Sequence, residues 1–167
     1  MMGLGDASNI VHMIDFGLTR LVIDPKTGKH IPFVTMKNLI GTCRYVSVNS
    51  HKGFELSRRD DLITLGYVMV NMLKGSLPWQ NVVISKHSAR YREVGKFKSQ
   101  HSNERLCEGC PVQFKSYMDY VGELGFEEAA NFTLLKQLIK DAAIEANYDI
   151  HDNVFDWSVM LVDQKRK

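Results

Sequence analysis

At 167 residues, 44% of them hydrophobic and 24% charged, the chain is long enough for one domain with a real core and has the composition of an ordinary soluble globular protein. A formal net charge of +2 is too small to argue for nucleic acid or a membrane surface, and no apolar run approaches the ~20 residues a membrane-spanning helix needs. Three cysteines, an odd number, do not make a disulfide framework; they fit a reducing, cytoplasmic or nuclear setting.

The opening "MMGLGDASN" has neither the basic start nor the apolar centre of a signal peptide. Asn9 to Ile14 is short, apolar and β-branched, and reads as a strand that ends at Asp15-Phe16-Gly17. A strand met so early suggests a fragment or a gene model that begins late. Residues 20 to 58 show no helical period and contain Pro25, Gly28, Pro32, Gly41 and Gly53; so long an irregular segment in a compact domain is often functional. From Asp60, the residues Leu62, Leu65, Met69, Met72 and Leu73 recur at helical spacing, with Gly75 closing the helix before "SLPW". The stretch "SKHSARYREVGKFK" carries Lys86, Arg90, Arg92, Lys96 and Lys98 against a lone Glu93, and reads as a mostly solvent-facing helix, with acidic-peptide or phosphosubstrate contact as the sharper reading and nucleic acid as the weaker one. Pro111 suits the first turn of a third helix striped by Phe114, Tyr117, Met118 and Val121. A fourth helix carries Leu134, Leu135, Leu138, Ile139, Ala142 and Ala143 behind a capping Asn131. The fold class expected is mainly α, a short N-terminal β-hairpin and long loop feeding a bundle of about four helices.

Two elements carry chemistry. A carboxylate directly after a strand, as at Asp15, can hold Mg²⁺ against nucleotide phosphates while the glycine permits the turn, although three letters alone favour an ordinary strand-end turn. The second is "NLIGTCRYVSVNSHKGFELSRRDDLITLGY", in which an apolar helix begins with four charges. Asp60 and Asp61 suit the positive end of that helix; Arg58 and Arg59 do not, and require partners elsewhere. Cys107-Glu108-Gly109-Cys110 is half a zinc site at best, since no second pair follows.

With "IDFGL", "HIPF", "KNLIGTCRY", "SRRDDLITLGY", "GSLPWQ", "LCEG" and "VFDW" in this order, the chain resembles the casein kinase 1 family of protein Ser/Thr kinases over nearly its whole length. The resemblance implies a kinase C-lobe over residues 1–158, with the activation loop before the helices and no N-lobe, and a short tail at 159–167. It matches Asp15 to the Mg²⁺-binding aspartate beside ATP, Thr42 to a threonine near the catalytic base that shapes the substrate platform, and Asp61 to the aspartate that anchors the catalytic loop. It implies substrates that are acidic or already phosphorylated, held at an anion pocket by Arg44, by Arg90 in place of a lysine, and by Asn81 where a glycine is usual, with Lys37 on the adjacent loop. Ser47-Val48-Asn49 stands for the family's Ser-x-Asn segment. The catalytic aspartate, its lysine, the second metal-binding asparagine and the glycine-rich phosphate cover are not in the sequence, so the chain alone is expected to be inactive. The alternative is a non-catalytic module for acidic or phosphorylated peptides, or an inactive decoy.

Overall fold

The computed structural model describes residues 1–81, 87–153 and 155; of residues 87–90 only the backbone is described. Six α-helices occur among the described residues: α1 (Val48–His51), α2 (Arg58–Lys74), α3 (His87–Gln100), α4 (Asn103–Leu106), α5 (Val112–Glu123) and α6 (Phe132–Glu145). The mainly helical architecture matches a kinase C-lobe-like bundle. The expected tail and the "VFDW" segment, apart from Phe155, lie outside the described residues.

Local chemistry explains where the helices start and stop. Asp60 Oδ2 accepts from the Ser57 N–H at 3.0 Å, so the residue three positions into α2 closes back on its cap. Gly75 ends α2 with φ 75° and returns its N–H to Asn71 O at 2.9 Å, a left-handed cap that glycine adopts without steric cost. Ser47 Oγ caps α1 through the Ser50 N–H, Asn131 Oδ1 caps α6 through the Leu134 N–H, and Pro111 is itself the N-cap of α5.

The core is one cluster. Tyr67 and Val70 of α2 meet Phe114, Tyr117, Met118 and Val121 of α5, and α6 adds Leu135 and Ala142 from the far side of α5. Gly66 lets α2 and α5 cross closely: a Cβ there would sit 2.3 Å from Met118 Sδ and 3.0 Å from Tyr117 Cε1. Leu77, Trp79, Val94, Leu106 and Cys107 extend the same cluster toward α3 and α4.

Two expectations are corrected. Asn9 to Ile14 is not a strand: among the described residues β-pairing is confined to two isolated bridges, Met2 with Val11 and Ile23 with His30. The apolar letters are there, but Ile10, Val11, Met13 and Ile14 are all exposed, so no packed face stabilises an extended ladder. The basic stretch forms α3 as expected, yet its inner face is not solvated, since Val94, Gly95 and Lys98 are buried. The short helices α1 and α4 have too few residues to show a period.

Candidate functional site

The loop from Gly41 to Val46 is tied down by hydrogen bonds within itself and from distant side chains. Gly41 has φ 98°, and a Cβ there would lie 2.8 Å from Val46 Cγ1. Thr42 O accepts from the N–H groups of Tyr45 (2.8 Å) and Val46 (3.1 Å), which closes the turn. Two side chains from elsewhere lock it. Trp79 Nε1 donates to Arg44 O at 2.7 Å. Lys98 Nζ donates to Cys43 O at 2.9 Å and Val46 O at 2.7 Å, and lies over the rings of Trp79 and Tyr67 at 4.9 and 5.1 Å. Lys98 is only 3% exposed; burial brings its pKa down to about 7, against a smaller opposing influence from Cys43.

The segment after this loop is fixed to the start of α2. Asp60, 2% exposed, accepts at Oδ1 from Ser47 Oγ (2.6 Å) and Asn49 Nδ2 (2.9 Å), so the Ser-x-Asn side chains converge on one buried carboxylate. Arg59 donates one hydrogen bond to Leu124 O at 3.0 Å, lies 5.9 Å from the ring centre of Phe126 and pairs with the Asp60 carboxylate at 3.7 Å, while its buried Nε makes no hydrogen bond among the described residues. Glu55, also buried, gathers Arg20 and Lys37, the latter at 3.3 Å. Burial is the largest influence on Glu55 and would raise its pKa, but the two cations together outweigh it and hold the carboxyl below its usual range.

Two cavities flank α3. One, of about 470 Å³, is lined by Thr42, Arg44, Tyr45, Trp79, Gln80 and Tyr91 among others. The other, of about 740 Å³, has Lys37, His51, Lys52, Tyr91, Arg92 and Lys96 in its wall. Thr42 and Arg44 therefore share a cavity, whereas Lys37 faces the second one. Asn81 is exposed one residue beyond Gln80 and lines neither; the side chain of Arg90 lies outside the described residues. Asp15 is exposed, lines neither cavity, and holds φ 61° with its Oδ1 accepting from the Gly17 N–H at 3.2 Å. A left-handed backbone at a non-glycine residue is costly, and aspartate tolerates it better than most. Asp61 points from the exposed side of α2 and makes no hydrogen bond among the described residues; burial first and the Asp60 charge second raise its pKa.

No group of three or more metal-ligating side chains occurs among the described residues. Mg²⁺ is commonly held by one or two carboxylates plus substrate phosphates, so a lone exposed Asp15 fits a partial ligand set. Cys107 is buried, with its thiol pushed up to about 11 by burial, and Cys110 is shifted the same way, so both are packing thiols rather than ready ligands.

No protein-family model matches the chain. Over 153 residues, 92% of its length, it is 42% identical to Casein kinase I homolog 2 of Schizosaccharomyces pombe. These 153 residues belong to the casein kinase I family. The chain spans 35% of that relative's length. The structure adds four residues that sequence reasoning left without a role in casein kinase I terms: Glu55, Asp60, Trp79 and Lys98 hold the loops of the candidate site from behind. Lys98 carries no sequence signal, because it sits in a run of cations that reads as solvated.

Proposed function

We propose that the chain is the substrate-side portion of a protein Ser/Thr kinase of casein kinase I type, which uses Mg²⁺-ATP and favours acidic or already phosphorylated protein sites. The 42% identity over 92% of the chain is the observation that carries this reading. In it, Asp15 would give one carboxylate ligand to Mg²⁺, whose chemistry when bound would be charge neutralisation at a nucleotide phosphate. Thr42 faces the substrate hydroxyl across the locked loop, and Asp61, a carboxylate without a partner on the exposed side of α2, receives backbone N–H groups of the catalytic loop. Arg44 supplies the first positive charge for the substrate anion; Asn81 and Arg90 are the further contributors that the family resemblance implies, and Lys37, which lines the other cavity, is a more distant one. The 167 residues by themselves supply one metal ligand and no catalytic base, so the isolated polypeptide does not transfer phosphate.

A second reading, a non-catalytic binder of acidic or phosphorylated peptides, is favoured by the loop being locked by Trp79 and Lys98, groups present within the chain itself. Two assays on the isolated chain test both. Incubation with Mg²⁺-ATP and an acidic peptide is expected to give no incorporation, and turnover above background would contradict the inactive assignment. Titration with a phosphoserine peptide is expected to show binding that Arg44→Ala weakens about tenfold, the loss of one charge-assisted contact to phosphate; unchanged affinity would remove Arg44 from the site.

A further inference from the structure

The second cavity is not accounted for by a substrate platform at Arg44. Its wall comes from three separate parts of the chain: Lys37 before the platform loop, Lys52 at the C-cap of α1, and Arg92 and Lys96 on α3. Four cations converge on one concave volume of about 740 Å³, and among the described residues no carboxylate lines it. Two of the four are already paired, Lys37 with Glu55 at 3.3 Å and Lys96 with Glu93 at 3.1 Å. Lys52 and Arg92 have no carboxylate partner among the described residues, although Lys52 lies 5.9 Å from the ring centre of Phe54. Glu55 is shared with Arg20, so Lys37 is compensated only in part, and Lys52 and Arg92 are the two cations on this hollow with no carboxylate partner among the described residues, a charge that matches a phosphoryl dianion of about −2.

The floor of the cavity is built for close approach. Gly95 lies against His51, where a Cβ would come within 2.7 Å of the His51 Cβ, so α3 and α1 can close on each other only because position 95 has no side chain. His51 is neutral at pH 7: burial first and the Lys98 ammonium second bring its pKa down to about 4. It thus adds no charge to the site and leaves the anion to Lys52 and Arg92. Met36, Leu39 and Val48 add apolar surface to a wall that also carries Asn38, Ser50 and Ser99, a mixture suited to the side chains that flank a modified residue in a peptide. Tyr91 lines both cavities, so a segment seated beside Arg44 passes the mouth of the second one. A concave cluster of this kind differs from the extended basic stripe, interleaved with aromatic residues, that tracks a nucleic-acid backbone.

The geometry points to a second phosphate-docking site between α1 and α3, in which Lys52 and Arg92 take a phosphorylated serine or threonine of a protein segment. It is separate from the Arg44 platform and stands whether or not the chain takes part in phosphoryl transfer. Its test uses the 167-residue chain and peptides that carry no, one or two phosphoserines at varied spacing, with affinity read by calorimetry or anisotropy. The double variant Lys52→Ala/Arg92→Ala alters two exposed side chains and is expected to weaken a doubly phosphorylated peptide about tenfold or more, while the swap Lys52→Arg/Arg92→Lys retains most of the affinity. Equal affinity in the alanine double variant, or an equal loss with the unphosphorylated peptide, overturns the site. So does a loss seen only with phosphoinositide vesicles or RNA, which would assign the cations to another class of partner. An inert Arg44→Ala combined with a weakened double variant would remove the platform reading and leave this one standing.

Discussion

Glu55 and His51 show how single side chains set the pH response of the molecule. Glu55 is enclosed but its partners Arg20 and Lys37 are about half exposed, so losing the carboxylate returns two cations to water rather than stranding them. Glu55→Gln is accordingly expected to cost about 1–2 kcal/mol, below the 3–5 of a fully buried pair. The sign of the pH effect follows from the lowered folded pKa. The Glu55 contribution is complete above its ordinary value of 4.5 and is lost as pH falls through the lower folded one. His51, lowered from 6.5 to about 4, works in an earlier window. The unfolded chain takes up a proton there before the folded one does, so stability declines from pH 6.5 downward and levels off near 4. Partial solvent contact reduces the size of that decline to about 1–2 kcal/mol. Chemical denaturation at a series of pH values separates the two: Glu55→Gln should keep the decline between 6.5 and 4.5 and flatten only the part below. A variant that flattened the upper window instead would show that His51 is not the group responsible.

The helices carry most of what the sequence made readable. The stripes in α2, α5 and α6 and the caps at Gly75 and Asn131 follow from local rules, because α2 and α6 each bury a face against α5, which packs with both. The long segment before α1 was less legible. Its order comes from distant groups such as Trp79 and Lys98, which close on carbonyls 35 to 55 positions away and leave no local pattern. The same limit applies to the site: the sequence marks Thr42 and Arg44 on one loop but not that Lys37 faces a different cavity. Gly66 gives a test at this scale. By helix propensity alone, Gly66→Ala should stabilise α2 by about 1 kcal/mol. The added methyl, however, falls 2.3 Å from Met118 Sδ and 3.0 Å from the Tyr117 ring, and overpacking of this kind costs about 1–3 kcal/mol. Tyr117 is held by its hydroxyl to Leu62 O at 3.0 Å and cannot swing aside freely. Packing should win, with a net loss of about 1–2 kcal/mol and a lower midpoint in thermal melting. A variant more stable than the parent would mean that α2 and α5 separate at little cost.

At the scale of the whole molecule, order and burial are divided along the chain. The core runs from Val46 to Ala142, while none of the first 44 residues is buried. In that first part Leu4 is 90% exposed, Met13 82% and Met36 97%, and Phe16 and Leu18 are also open to water. Scattered apolar side chains on a surface are ordinary, but so many along one segment exceed what isolated soluble domains usually leave uncovered. Nothing intramolecular among the described residues relieves this, since the two isolated bridges hold the backbone without covering these side chains. Association between copies through this segment is therefore the expected behaviour of the polypeptide on its own. Because the contact is apolar, added salt should strengthen or preserve it, in contrast to the cation-lined cavities, where salt weakens anion binding. Sedimentation velocity across a range of concentrations at low and high salt decides between these behaviours. Apolar association gives species that grow with concentration and persist at high salt, and Met13→Gln with Leu18→Gln should shift them toward monomer without lowering the melting midpoint of the helical core. A single monomeric species at every concentration would show that the N-terminal segment finds cover within its own chain.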